Sequence, residues 1–417
     1  MTKGIEYRTW GSPGCGKTTW MIKQATRSAE KFGEDQVSIC SLTNAAVREA
    51  AGRESPLDPE NVTTLHARCK RALGAPPPAE SKVGEFIKAY PSYSTEADLP
   101  ANMLRDGYRT INDEDMDDLS LAEIIMSGKE PTHYELSNIL RQQLIPFTEK
   151  LWGSSTYRWY LRWADWCREI GYMDFTGWLE TALESHALPA QQTIYIDEAQ
   201  DHTPLQLEVI RNWDARYRVL IGDDDQNLYE WSGAIPQAFF LPELPAGQER
   251  VLPQSYRVPR SVHAVASTWV NQMISRRKKE YLPRPVDGRL ERSPFTLEDI
   301  SRGRLPPELL EDGESTYMIL TSCAYMLGDT VQALREAGIP FHNPYRLSNK
   351  RWNPLGSVWN RILNYTKSTA WSGNEAYSWA NVLRAKDVYK TGQKDKFLEE
   401  CKRLGDSEVP IWLLDES

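Results

Sequence analysis

The chain has 417 residues, 40% of them hydrophobic and 26% charged, which is enough to bury at least two cores. Its formal net charge of −9 argues against a surface that binds nucleic acid everywhere and leaves room for a local basic channel. The six cysteines are scattered, without a C-x-x-C pair or a Cys/His cluster, and no apolar run approaches the ~18 residues that span a bilayer; a disulfide or zinc scaffold and a membrane protein are excluded, and a cytoplasmic chain is expected.

In chain order, an extended stretch from Ile5 to Trp10 runs into Gly11-Ser12-Pro13-Gly14-Cys15-Gly16-Lys17-Thr18, and a helix-like run from Thr19 to Ser28 follows. The pattern is G-x-x-x-x-G-K-[ST] in strand–loop–helix context. Glycines let successive backbone N–H groups point at a triphosphate, Lys17 can reach the β and γ oxygens, and the Thr18 hydroxyl can hold Mg²⁺. The positive end of the following helix adds to the attraction. Next come a short apolar strand, Val37 to Leu42, a helical continuation, Asn44 to Ala51, and the cationic cluster Arg68-Cys69-Lys70-Arg71.

Residues 73–187 open with Pro76-Pro77-Pro78, carry an acidic run from Asp106 to Glu123 and end in a tryptophan-dense helical region from Leu151 to Leu183. A stretch of that size is not a plain loop, so it reads as a mostly helical subdomain inserted into the first lobe. Trp159, Trp163 and Trp166 fall at i, i+4, i+7 on one helix face, favouring core packing, with base stacking as the alternative.

A second strand, Thr193 to Ile196, ends on Asp197-Glu198, and a third, Tyr217 to Ile221, ends on Gly222-Asp223. Short β-rich runs closed by Asp or Gly and separated by helices indicate a parallel sheet with its chemistry at the strand C-terminal ends. Of the paired carboxylates, Asp197 is suited to holding Mg²⁺ and Glu198 to orienting and deprotonating a water. With a complete phosphate loop, that pair signals a nucleotide hydrolase. Beyond the third strand, Gln226 can sense a γ-phosphate, and Trp231 offers a face for a base. Arg257, beside Tyr256, is suited to neutralising a transferring phosphoryl group. The run Arg276-Arg277-Lys278-Lys279, like the first cationic cluster, reads by itself as a solvated face.

Together these segments resemble the UvrD/Rep-like helicases of superfamily 1. The matching elements are the phosphate loop, Ser41-Leu42-Thr43-Asn44-Ala45-Ala46, Thr64-Leu65-His66-Ala67-Arg68, the D-E-x-Q-D motif from Asp197 to Asp201, the G-D-x-x-Q-x-x-Y-x-W-x-G-A motif from Gly222 to Ala234, and Tyr256-Arg257. Met318 to Thr321 and Leu334 to Phe341 are similar to a stretch of the family's second motor lobe, so the likeness covers about residues 4 to 365. It implies an α/β fold: a P-loop NTPase with RecA-like parallel-sheet motor lobes and a mostly helical inserted subdomain. The first lobe would comprise residues 1–72 and 188–261, the insertion 73–187, a partial second lobe 262–345 and the start of a second insertion 346–417. It further implies ATP and Mg²⁺ as cofactors and single-stranded DNA and single/double-strand junctions as partners. Movement would run 3′ to 5′ with duplex unwinding, in repair or replication.

Carried over by position, Gly11 to Thr18 together with Thr19, Tyr256 and Arg257 would bind ATP, with Tyr256 stacked near the adenine. Thr18 and Asp197 would hold the metal, and Glu198, Gln226 and Arg257 would be catalytic. Thr43, Asn44 and His66 would lie along the DNA strand, and Trp231 would stack on a base. Two departures stand out. The ten residues before Gly11 contain no glutamine-bearing adenine motif, and neither a T-x-H-x-x-K-G nor a T-R-A motif occurs before Ser417. Either the chain is a piece of a longer helicase, or it is a shortened, nucleotide-gated DNA-binding or scaffold protein with weak or no hydrolysis.

Overall fold

The computed structural model describes residues 4–42, 57–93, 132–227, 229, 233–274, 276–292, 294–296, 298–299, 318–321, 324–336, 341, 373, 399 and 401–404. The chain divides into two compact units, Met1–Leu290 and Glu291–Ser417.

The first unit is built on six strands: β1 (Ile5–Gly11), β2 (Val37–Ser41), β3 (Val62–Thr64), β4 (Gln191–Ile196), β5 (Ala215–Gly222) and β6 (Glu249–Leu252). They pair in the order β3-β2-β4-β5-β1-β6, and every pairing is parallel, as the strand-end pattern predicts. The central strands β2, β4 and β5 are near-continuous buried runs rather than alternating ones, because both faces of the sheet are covered there. One face packs against helix α1 (Lys17–Phe32), whose Met21, Ile22, Ala25 and Ala29 meet Val37, Ile39, Tyr195, Val219 and Ile221. The other face buries Trp10, Cys40, Ile194, Ile196 and Leu220 under α2 (Leu65–Ala72) and elements following β3 and β4.

Between α2 and β4 the described elements include the helices α3 (Val83–Ala89), α4 (His133–Gln142), α5 (Glu149–Trp152), α6 (Ser154–Ile170) and α7 (Phe175–Glu184). The tryptophan stripe of α6 is core. Trp159, Trp163 and Trp166 are buried around Phe86, with ring centroids 5.2–5.7 Å from it in edge-on geometry, so none offers a face to a base. A buried ion network ties three of these helices. Arg141 of α4 makes two bonds to Asp174, the N-cap of α7, at 2.8 and 2.9 Å, and two more to Glu180 at 3.0 and 2.6 Å. Trp163 of α6 donates its indole N–H to the same Asp174.

After β4 come α8 (Pro204–Asn212), started by a Thr203/Gln206 capping box, and, after β5, the short α9 (Pro236–Phe240). The unit closes with β7 (Gln254–Pro259), α10 (Arg260–Val270) and β8 (Leu282–Arg284), in which β7 and β8 form a separate parallel pair. In the second unit the described residues include α11 (Gly328–Glu336), which buries Val331, Ala333 and Leu334. The helix expected from Asn44 to Ala51 and the acidic run Asp106 to Glu123 lie outside the described residues. No described helix is long and apolar enough to cross a membrane.

Candidate nucleotide-binding site

The site begins where β1 ends. Gly14 and Gly16 take left-handed φ values of 74° and 78°, which let the chain reverse into α1. Gly16 is the N-cap of that helix; no side chain caps it and no acidic residue lies in the first turn, so the helix presents unneutralised positive dipole there. A second segment forms the loop's floor. Ser255 donates its hydroxyl to the Pro13 carbonyl at 2.8 Å, and the Tyr256 N–H bonds the Gly14 carbonyl at 2.8 Å. The approach is so close that a Cβ on Gly14 would collide with the Cβ of Arg257. Tyr256 and Arg257 are thereby placed beside the loop with both side chains exposed.

Within the loop, Ser12 and Cys15 are buried, and burial pushes the Cys15 thiol above its ordinary range. Lys17 is buried too; its ammonium bonds the Gly11 carbonyl at 3.1 Å and lies 4.0 Å from Glu198 Oε2. The Thr18 hydroxyl donates to Asp197 Oδ2 at 3.3 Å. Thr19, one residue on, is exposed in the first turn of α1. Burial and the neighbouring Glu198 charge push the Asp197 carboxyl up to about 7, against the pull of Lys17 and two hydrogen bonds. A carboxylate so poorly compensated, converging with a hydroxyl oxygen, fits a hard cation such as Mg²⁺. The left-handed glycines, the uncapped helix start and the buried lysine likewise fit a polyphosphate.

Glu198 follows β4 with φ of 47°, a left-handed conformation that a glutamate rarely adopts. Its side chain is 39% exposed, and Gln200 holds it, donating from Nε2 to Glu198 Oε2 at 3.0 Å. The other end of the Gln200 amide accepts the Asp223 N–H at 2.9 Å, which links the ends of β4 and β5. A Cβ at 222 would run into Gln200 Oε1, so a larger residue there displaces the Gln200 amide. Gln226, half-buried in the turn Asp224–Gln226, donates its amide to Asp223 Oδ2.

Of the residues expected along a DNA strand, His66 lies in the first turn of α2, whose start Thr64 caps by accepting the Ala67 N–H at 3.2 Å. Burial pushes His66 down to about 4, so it is neutral near pH 7. It neighbours His202, also lowered to about 4 by burial, whose Nδ1 lies 3.3 Å from the Glu198 carbonyl. Thr43, Asn44 and Trp231 lie outside the described residues.

The structure thus brings Lys17, Thr18, Asp197, Glu198, Tyr256 and Arg257 to one loop, and Gln226 joins them through Asp223 and Gln200. Gln200, Asp223, Ser255 and Lys279 are the residues that sequence reading did not single out for the site. The solvated-face reading of Arg276 to Lys279 is corrected at Lys279: its side chain is wholly buried, bonding Asp223, Asp224 and Asp225 at 2.6–2.8 Å, because three adjacent carboxylates at a strand end require a counter-charge, while Lys278 is exposed. Burial opposes the Lys279 charge, but the three aspartates outweigh it and hold the ammonium above the ordinary lysine range. The only sequence signal for this was the Asp223-Asp224-Asp225 run itself.

Residues 8–243 match the UvrD/REP helicase N-terminal domain. The chain is 26% identical over 196 residues to DNA helicase II of Salmonella typhimurium, and 25% identical over 196 residues to DNA helicase II of Escherichia coli. Each likeness covers 43% of this chain and 27% of the relative, so the chain spans about a quarter of the length of the curated relatives it matches. With more than half of its residues in the matching domain, arranged on a parallel sheet around this loop, the chain belongs to the UvrD/REP helicase family.

Proposed function

We propose that the protein is an ATP-dependent single-stranded-DNA translocase and helicase of the UvrD/Rep type. It moves 3′ to 5′ and opens single/double-strand junctions in the cytoplasm of a bacterium or of a phage's host. The observation that carries this reading is the convergence of Lys17, Thr18, Asp197 and Glu198 at the ends of two parallel strands, under a loop floored by Ser255 to Arg257. In this reading the backbone of Gly11 to Thr18 and the Lys17 ammonium hold the polyphosphate, with Thr19 beside them, and Tyr256 stacks on the base. Thr18 and Asp197 hold Mg²⁺, which supplies charge neutralisation when bound. Glu198, steered by Gln200, takes the proton of the attacking water; Gln226 answers to the γ-phosphate and Arg257 neutralises its charge. Thr43, Asn44, His66 and Trp231 follow the DNA strand, whose bases stack without regard to sequence.

The proposed organisation is a first RecA-like lobe of residues 1–72 and 188–261 with a helical insertion, 73–187. The start of a second lobe, 262–345, and of its own insertion, 346–417, follows. Phosphate release measured with and without single-stranded DNA tests the function. Stimulation by the strand is expected, with Glu198→Gln lowering turnover by about a hundredfold or more while nucleotide affinity is kept. Absence of stimulation together with an unchanged Glu198→Gln variant would sink the proposal. DNA affinity that responds to a non-hydrolysable analogue, with turnover at background, would favour the gated-binding alternative instead.

A further inference from the structure

The Lys279 side chain has no exposed surface and directs its three ammonium protons at three carboxylates: Asp223 Oδ1 at 2.8 Å, Asp224 Oδ1 at 2.6 Å and Asp225 Oδ2 at 2.7 Å. Those carboxylates lie within 4.8 Å of one another, a spacing at which like charges do not stay buried without a cation among them. Neighbouring residues complete the enclosure. Arg276 grips Asp225 through two bonds of 2.7 Å, and the Arg277 N–H bonds Asp224 Oδ2 at 2.7 Å. The Arg277 guanidinium pairs with Glu249 at 2.7 Å and lies 4.9 Å over the ring of Trp10, the residue before Gly11.

Asp223 is where this cluster meets the site. Its Oδ1 holds Lys279, its Oδ2 accepts the Gln226 amide, and its N–H bonds Gln200, which holds Glu198. We infer that Lys279 is a positioning residue: its ammonium is the built-in counter-ion of the Asp223–Asp225 cluster, and through Asp223 it sets the orientation of Gln226. The inference rests on the reading of Gln226 as the group that answers to the γ-phosphate. Lys279 follows α10, which starts three residues after Arg257, so the same clasp ties Gln226 to the segment that carries Tyr256 and Arg257. Displacement of β7, α10 and β8 would therefore pull on Gln226 directly, coupling the loop's floor to the turn after β5.

The test compares DNA-stimulated ATP turnover by the full chain with Gln226→Ala, Lys279→Met and the double variant. Lys279→Met is expected to lower kcat about tenfold, with the KM for ATP within about twofold, and to add nothing in the Gln226→Ala background. Losses that multiply, or an effect on KM alone, would overturn the positioning role. Should Lys279→Met fail to fold, Asp224→Asn/Lys279→Met removes one uncompensated carboxylate, leaves the Asp223–Gln226 bond in place and carries the same expectations. Melting in CaCl₂ gives a readout without turnover. Ca²⁺ is expected to raise the melting temperature of Lys279→Met, where it takes the ammonium's place, by more than that of the unsubstituted chain, in which the ammonium already fills the cluster. Equal responses would overturn the counter-ion assignment. If Gln226→Ala leaves turnover unchanged, the phosphate-sensing reading and the positioning role fall together, whereas the Ca²⁺ comparison decides the counter-ion by itself.

Discussion

Gly14 shows how much of the site depends on one missing carbon. At φ of 74° a side chain is strained whatever space surrounds it, and here a Cβ would also sit 2.9 Å from Ser255 Oγ, besides colliding with Arg257. Gly14→Ala must therefore lift residues 255–257 off the loop. Nucleotide affinity is expected to fall by about tenfold or more, equivalent to roughly 1.4 kcal/mol, with little change in the melting temperature of the nucleotide-free chain. Titration with a fluorescent ATP analogue measures the first quantity; an unchanged affinity would detach Arg257 from the binding role. The residues legible in the sequence were those marked by a local pattern in the chain, even where their partners are distant, as Thr18 and Asp197 are. Lys17 and Thr18 follow directly from the loop spacing, and Asp197 and Glu198 from a short apolar run that ends in carboxylates. Lys279 was not legible, because its partners lie 54 and more residues earlier and nothing local separates a buried lysine from a solvated one. The same holds for Ser255, whose role is a bond to a carbonyl 242 residues away.

Elements tell a similar story with different physics. The strands before Asp197 and Asp223 were visible because parallel strands covered on both faces are apolar throughout. β6, with the sequence Glu-Arg-Val-Leu, is not such a run, and only its pairing with β1 makes it a strand. The helices between β3 and β4 pack around a polar group that hydropathy cannot foresee. Glu80 is buried, accepts the Tyr134 hydroxyl at 2.7 Å and the Phe175 N–H at 3.0 Å through one oxygen, and has no partner for the other among the described residues. Burial, and next the nearby Asp174, push its carboxyl from an ordinary 4.5 up to about 8. Since the folded chain holds that proton more tightly than the unfolded chain, stability falls as pH rises from the ordinary carboxylate range to about 8, and the loss is complete above it. Glu80→Gln removes the titration. The variant is expected to be more stable than the parent by roughly 2–4 kcal/mol at high pH, with the gap closing toward acid, in urea melts across that range. A gap of constant size would mean that Glu80 does not titrate there.

For the molecule as a whole, the described site residues from Gly11 to Arg257, with Lys279, all belong to the unit Met1–Leu290. Expressed alone, that unit is expected to unfold in one transition whose midpoint rises with Mg²⁺ and a non-hydrolysable ATP analogue. The stabilisation should be about 2.7 kcal/mol at a hundred times the dissociation constant. Calorimetry with and without the analogue reads it, and an unmoved midpoint would show that the nucleotide site needs residues beyond Leu290. Inside the unit, β1 is made first and paired last. Its neighbours are β5 and β6, and its loop rests on Ser255 and Tyr256. At ribosomal rates of about 5–20 residues per second, Arg257 emerges on the order of ten to fifty seconds after the loop itself. For that interval the nascent chain carries every residue from Gly11 to Thr18 yet lacks the loop's floor, so ATP assists its early folding less than it stabilises the finished unit. A chain that terminates before Ser255 would keep the complete phosphate-loop motif and hold nucleotide more weakly, for want of the bonds from Ser255 and Tyr256 to the loop.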